Sequence, residues 1–245
     1  MRRVFIPLLF AACTAHADQV QVAVAANFTA PAKLLAAAFA RDSGHKAQLS
    51  FGGTGKFYAQ IRNGAPFEVL LAADDTTPAR LEAEGAAVAG SRYTYAVGRL
   101  ALWSAQPGYV DDQGAVLARG GFKHLAIANP KLAPYGAAAI EALTALKLLD
   151  AVQARFVQGE NIAQAHQFVA SGNAELGFLA LSQVIQDGRL VAGSAWIVPA
   201  RLHRAIRQDA VLLEKGRGKP GAEAWLNYLK GNAAQAIIKS FGYEI

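Results

Sequence analysis

The residues best placed to do chemistry sit in a few short turns. Gly52-Gly53-Thr54-Gly55-Lys56 follows the apolar run Leu49-Ser50-Phe51 and leads into a helix-like pattern. Two glycines and a lysine suggest a loop that cradles phosphate, but the spacing is wrong for one. A Walker-type loop reads G-x-x-x-x-G-K-[ST]. Here the first glycine stands too close, and Phe57 follows Lys56 where Ser or Thr would hold magnesium. A dinucleotide fingerprint fails on spacing as well. What remains is a strand, a small turn and a helix that begins at Thr54. The first N–H groups of a helix have no internal partners and carry partial positive charge, so they can hold an anion. The plainer reading of Thr54 is a helix cap that binds nothing.

The same design recurs. "AANFT" places Asn27 between a strand and a helix, "APYGAAAI" places Tyr135 and Gly136 at a helix start, and "GENIAQA" does so with Asn161 and Ile162. All four are strand-to-helix turns, and ligands of open α/β sheets bind at the carboxyl ends of strands. Four helix starts facing one cleft can surround an oxyanion with N–H and hydroxyl donors. Enzymatic chemistry finds less support. His45, His124, His166 and His203 are separated, without the His-x-x-x-His or His-Glu-x-x-His spacing of a metal centre. No G-x-S-x-G nucleophile elbow occurs. No catalytic residue is assigned.

The elements that must position these turns are legible as alternation. "QVQVAVAA" reads as a strand and "TAPAKLLAAAFARDSG" as a helix stopped at Gly44. "AQLSF", "FEVLLAA", "LAIAN", "RFVQ" and "LGFLAL" repeat the strand, and each of the first four precedes a helical pattern. Such alternation implies parallel α/β layers. "RYTYAVGRLALW", residues 92–103, has no helix after its first half and reads as one strand passing between two lobes. "WIVPARLHRAIRQDAVLL" reads as the return. The expected organisation is a first lobe of residues 18–99 with 200–245 and an inserted second lobe of residues 100–199.

The composition bounds the function. A chain of 245 residues with 53% hydrophobic and 17% charged residues can bury a substantial core. Arg2 and Arg3, the apolar run Val4 to Cys13 and Ala15-His16-Ala17 follow the order of an export signal, so residues 1–17 are expected to be removed. An N-terminal strand or helix, and a lipoprotein acylated at Cys13, are the alternatives. Cleavage after Ala17 leaves 22 basic against 18 acidic residues, a charge of +4, and no cysteine. Stability then rests on packing without disulfides. Lys and Arg are scattered, with no basic stripe and interleaved aromatics, so no nucleic acid is expected as a partner.

Taken together, "VAVAANFTAPAKLLAAAF", "GHKAQLSFGGTGKFYAQIRNGAPFEVLLAADDTTPARL", "ANPKLAPYGAAAIEAL" and "ELGFLALSQV" resemble periplasmic molybdate-binding proteins, the solute receptors of molybdenum ABC importers. The resemblance covers essentially the whole chain after residue 17. It implies an α/β fold of two lobes, the type II periplasmic-binding-protein fold, each lobe a mixed sheet flanked by helices. It also implies molybdate or tungstate in the cleft, no cofactor, the membrane permease of an ABC importer as partner, and a monomer. Carried over position by position, the ligand contacts are Asn27, Thr54, Tyr135 and Ile162, touching the oxyanion without ligating its metal directly. Asn27 stands where many members have Ser, and its backbone N–H and side-chain amide are both available donors. Thr54 offers a hydroxyl and an N–H, and Ile162 a backbone N–H alone. Tyr135 stands where some members have Ala. Ala180 departs from the pattern, standing where some members place a ligand-contacting Tyr, and Tyr135 is the candidate replacement for that hydroxyl.

Molybdate is fully deprotonated near neutral pH, so a site lined with donors suits it. Hydrogen phosphate carries a proton that such a site leaves unpaired. Asp74 and Asp75 are readable as an acceptor for that proton, or as helix caps, the commoner use. A receptor for sulfate or another small tetrahedral oxyanion is the alternative function.

Overall fold

The computed structural model describes residues 18–245. The export-signal reading concerns residues 1–17, which lie outside the described residues. In chain order the strands are β1 Gln19–Ala25, β2 Lys46–Gly52, β3 Val69–Leu71, β4 Tyr93–Gly98, β5 Leu100–Ser104, β6 Leu125–Ala128 and β7 Phe156–Gly159. They continue with β8 Leu176–Ala180, β9 Ile185–Gln186, β10 Arg189–Leu190, β11 Ser194–Ile197 and β12 Ile206–Leu212. The helices are α1 Thr29–Ser43, α2 Thr54–Arg62, α3 Thr76–Ala83, α4 Val116–Arg119 and α5 Pro134–Ala145. After them come α6 Leu149–Val152, α7 Ile162–Ala170, α8 Pro220–Leu229 and α9 Asn232–Ser240.

Two five-stranded mixed sheets organise these elements. The first has the order β2-β1-β3-β12-β4, with β1 parallel to β2 and β3, and β12 antiparallel to β3 and β4. The second has the order β11-β5-β8-β6-β7, with β6 parallel to β7 and β8, and β5 antiparallel to β8 and β11. β9 and β10 form a separate small hairpin. Among the described residues no helix is long and apolar enough to cross a membrane.

The sequence patterns explain the layers. "LALWS", "LAIA" and "LGFLA" are buried along their whole length, as strands covered on both faces must be. In α1, Ala32, Leu35 and Phe39 recur at helical spacing and turn one face into the first core. There the Phe39 ring meets the edge of Trp225 with centroids 5.1 Å apart. Gly44 ends the helix at φ +77°, a conformation that suits a residue without Cβ, and its N–H returns to the Ala40 carbonyl.

The chain crosses between the sheets twice. "RYTYAVGRLALW" is not one strand, as the sequence suggested, but β4 and β5, divided at Arg99 and built into different sheets. The return runs from β11 through a 3-10 turn at Ala200–Leu202 into β12. The C-terminal tail lies alongside the first crossing, where Val97 and Glu244 exchange two backbone hydrogen bonds of 2.7 and 3.0 Å.

Candidate functional site

All four turns singled out in the sequence occupy the carboxyl ends of parallel strands. They join β1 to α1, β2 to α2, β6 to α5 and β7 to α7. Asn27, Thr54, Tyr135 and Ile162 line one small cavity between the two sheets. The cavity has a volume of about 10 Å³, room for a single water-sized group. Among the described residues no carboxylate, lysine or arginine lines it.

Thr54 is the first residue of α2, and Gly53, in extended conformation, is the residue before it. The threonine is therefore not the cap that the plainer reading made it. Its Oγ1 accepts from the Ala73 N–H at 3.0 Å, which leaves the hydroxyl proton to donate. Ile162 opens α7 behind Asn161, whose Oδ1 accepts from the N–H groups of Ala163 and Gln164 at 2.9 and 3.2 Å. This caps the second and third helical N–H groups and leaves the first, on Ile162, without an intrahelical partner.

Tyr135 is the second residue of α5, after Pro134, which suits a helix start because it has no N–H to lose. Its ring is buried, and its hydroxyl accepts from Gln208 Nε2 at 2.9 Å. The neighbouring backbone is close. A Cβ on Gly98 would fall 2.0 Å from the Tyr135 hydroxyl oxygen and 2.5 Å from Gln208 Nε2.

Asn27 occupies a 3-10 turn, Ala26–Phe28, between β1 and α1, and is 3% exposed. Its side chain differs from the expectation. Nδ2 donates to Gln208 Oε1 and to the Tyr243 hydroxyl, both at 2.9 Å, so both amide protons are spent within the protein. The Asn27 carbonyl accepts from Ser182 Oγ at 2.9 Å and lies 3.1 Å from the Tyr243 hydroxyl, whose one proton goes to Ser182. What Asn27 can offer the cavity is its backbone N–H. Ala180 ends β8, fully buried, and is not among the residues lining the cavity.

Asp74 and Asp75 do not line the small cavity either. They face an adjoining cleft of about 570 Å³, together with Glu141 and Arg204. Asp74 holds the start of α3, accepting from the Thr77 N–H at 2.8 Å and the Thr77 hydroxyl at 3.0 Å. Burial, the largest influence, raises its pKa above the usual carboxylate value. The capping reading thus describes Asp74, whereas Asp75 makes no side-chain cap bond.

Four further polar residues around the cavity escaped the sequence reading: Tyr95, Ser182, Gln208 and Tyr243. Tyr95 donates to Gln208 Oε1 at 3.0 Å, and Tyr243 to Ser182 Oγ at 2.9 Å. Burial pushes the phenols of Tyr95 and Tyr135 well above 10 and that of Tyr243 up to about 12, so all three stay protonated at neutral pH. The one local signal was a polar pair, Gln208-Asp209, inside the apolar strand "AIRQDAVLL".

The lobes meet around the cavity. The Gly55 N–H donates to the Leu132 carbonyl at 3.3 Å, and Gly53 approaches Asn161. Arg204, in the return segment, donates to Glu141 of α5 through its N–H at 2.8 Å and its Nε at 2.7 Å.

Comparison with known proteins agrees with this architecture. Residues 20–244 match the family described as bacterial extracellular solute-binding protein. The molybdate-binding protein ModA of Azotobacter vinelandii is 65% identical over 234 residues, covering 96% of this chain and 93% of that one. ModA of Rhodobacter capsulatus is 50% identical, covering 95% and 90%. A solved structure of an Azotobacter vinelandii periplasmic molybdate-binding protein superposes with a TM-score of 0.90 at 46% identity, covering 92% of this chain and 99% of that one. The chain thus belongs to the bacterial extracellular solute-binding proteins, a family of receptors rather than enzymes, and within it to the molybdate-binding proteins.

Proposed function

We propose that this protein is a periplasmic receptor that binds molybdate, and tungstate in the same way, and hands it to the membrane permease of an ABC importer. The observation that carries the reading is the convergence of four strand-to-helix turns on one small cavity without a carboxylate. The N–H groups of Asn27, Thr54, Tyr135 and Ile162 and the hydroxyls of Thr54 and Tyr135 are the proposed donors. A buried dianion loses its hydration, and donors must replace it. Hydrogen bonds to a charged acceptor are the strong kind. A proton on the ligand finds no carboxylate acceptor here, which disfavours hydrogen phosphate. No metal cation or cofactor takes part, and the receptor acts as a monomer.

The lobes are proposed to comprise residues 18–99 with 200–245, and residues 100–199. Two donor turns belong to each. One small ion touches all four only when the lobes are together, so hinge closure accompanies binding. The cavity of about 10 Å³ is tighter than a tetrahedral oxyanion, so the lobes must adjust to admit it.

Calorimetric titration in the presence of chelator tests the function, using molybdate, tungstate, sulfate and phosphate. Tight binding of the first two, with phosphate excluded, is the expected result. A preference for sulfate would transfer the protein to the alternative function, and silence towards all four would remove the oxyanion reading.

A further inference from the structure

Gln208 is fully buried in β12, at the bulge where the register of that strand against β4 shifts. Its Oε1 accepts from Asn27 Nδ2 at 2.9 Å and from the Tyr95 hydroxyl at 3.0 Å, while Nε2 donates to the Tyr135 hydroxyl at 2.9 Å. Asn27 and Tyr95 come from elements of the first sheet, and Tyr135 from α5 beside the second. One side-chain amide therefore joins two of the four cavity turns from behind. Nothing in the established family assignment requires that.

We propose that Gln208 is the positioning residue that aims the Tyr135 hydroxyl, so that the phenol proton points at a bound oxyanion only when both lobes are docked on this amide. The proposal rests on the oxyanion reading of the cavity.

The direction follows from donor counting. A phenol hydroxyl has one proton and two acceptor sites. The Gln208 N–H occupies an acceptor site and cannot itself accept, so the phenol proton is left for the neighbouring Tyr243 hydroxyl or for a bound oxyanion. The amide in turn is held the right way round by its oxygen. Both Nδ2 protons of Asn27 are committed, one to Gln208 Oε1 and one to Tyr243. The Tyr95 hydroxyl, which shares its one proton between Gln208 Oε1 at 3.0 Å and the Ala72 carbonyl at 3.1 Å, adds to that hold. Gly98 closes the remaining side, since any Cβ there would collide with both the hydroxyl and Nε2. Opening the lobes separates Tyr135 from Gln208, and the hydroxyl is then free to rotate towards water.

The test is a double-mutant cycle read in molybdate affinity, with wild type, Tyr135→Phe, Gln208→Met and the double variant. Each single variant is expected to bind roughly ten- to hundredfold more weakly, the loss for a hydrogen bond to a charged group. The double variant is expected to lose little more than either single one, because both remove the same aimed proton. A Gln208 residue that merely braces the hinge gives losses that multiply, and that result overturns the proposal, as does Gln208→Met binding like wild type. Where Gln208→Met does not fold, Gln208→Asn keeps an amide for Asn27 and Tyr95 but ends one methylene short of Tyr135, and the same coupling is expected. Failure of the wild type to bind molybdate overturns the oxyanion reading instead. Tyr135→Phe binding like wild type overturns the assignment of its hydroxyl, and the proposal with it.

Discussion

Three of the four cavity residues can be tested by substitution. Tyr135→Phe and Thr54→Val should each weaken molybdate binding by roughly ten- to hundredfold, since each removes a donor to a charged ligand. Thr54→Val should also lower the melting temperature, because the Ala73 N–H loses its acceptor. Ile162→Ala should affect stability rather than affinity. The side chain is buried, so about 2–5 kcal/mol of stability should be lost, while affinity changes little because only the backbone donates. Titration and thermal melting of the three variants separate these outcomes, and an Ile162→Ala protein that binds much more weakly would contradict the backbone role. At this scale the sequence located residues better than it assigned their chemistry. Turn position follows from local pattern, so the strand-to-helix turns at Asn27 and Thr54 were legible. The use of the Asn27 amide depends on Gln208 and Tyr243, about two hundred residues further along the chain, and no local pattern reports such partners.

Among the elements, the approach of α2 to the loop before α5 is the sensitive contact. A Cβ on Gly55 would sit 3.1 Å from the Leu132 carbonyl oxygen and 3.2 Å from its Cδ2. Gly55→Val should therefore oppose docking of the lobes without touching the ligand. Overpacking of this kind costs about 1–3 kcal/mol, and affinity falls with the population of the closed form. Molybdate affinity is expected to drop about tenfold or more, with an unchanged melting temperature for the ligand-free protein. Unaltered affinity would show that the contact yields at no cost. The sequence patterns located most strands because buried strands are unbroken apolar runs, as in "LAIA" and "LGFLA". The division at Arg99 was hidden for the same reason. Apolar residues continue on both sides of it, and the change of sheet is decided by pairing partners such as β12 and β8.

For the molecule as a whole, the buried phenols set a limit on the alkaline side. Tyr95, Tyr135 and Tyr243 ionise near pH 10 in the unfolded chain but well above it, or at about 12, in the native one. Between those values the native state binds more protons than the unfolded state. Stability is therefore complete below about pH 10 and is lost as pH rises towards 12, by roughly 1.4 kcal/mol per phenol for each pH step. Urea midpoints measured from pH 8 to 12 should fall above pH 10, and Tyr243→Phe should make the fall shallower. A flat profile in wild type would mean that these phenols are not shielded. The clearance at Gly98 bears on descent as well as on chemistry. The backbone there leaves no volume for any side chain while a hydroxyl stands at position 135. Positions 98, 135 and 208 thus constrain one another. A lineage that acquires a side chain at 98 must give up both the tyrosine at 135 and the glutamine at 208, since either alone still fills that volume.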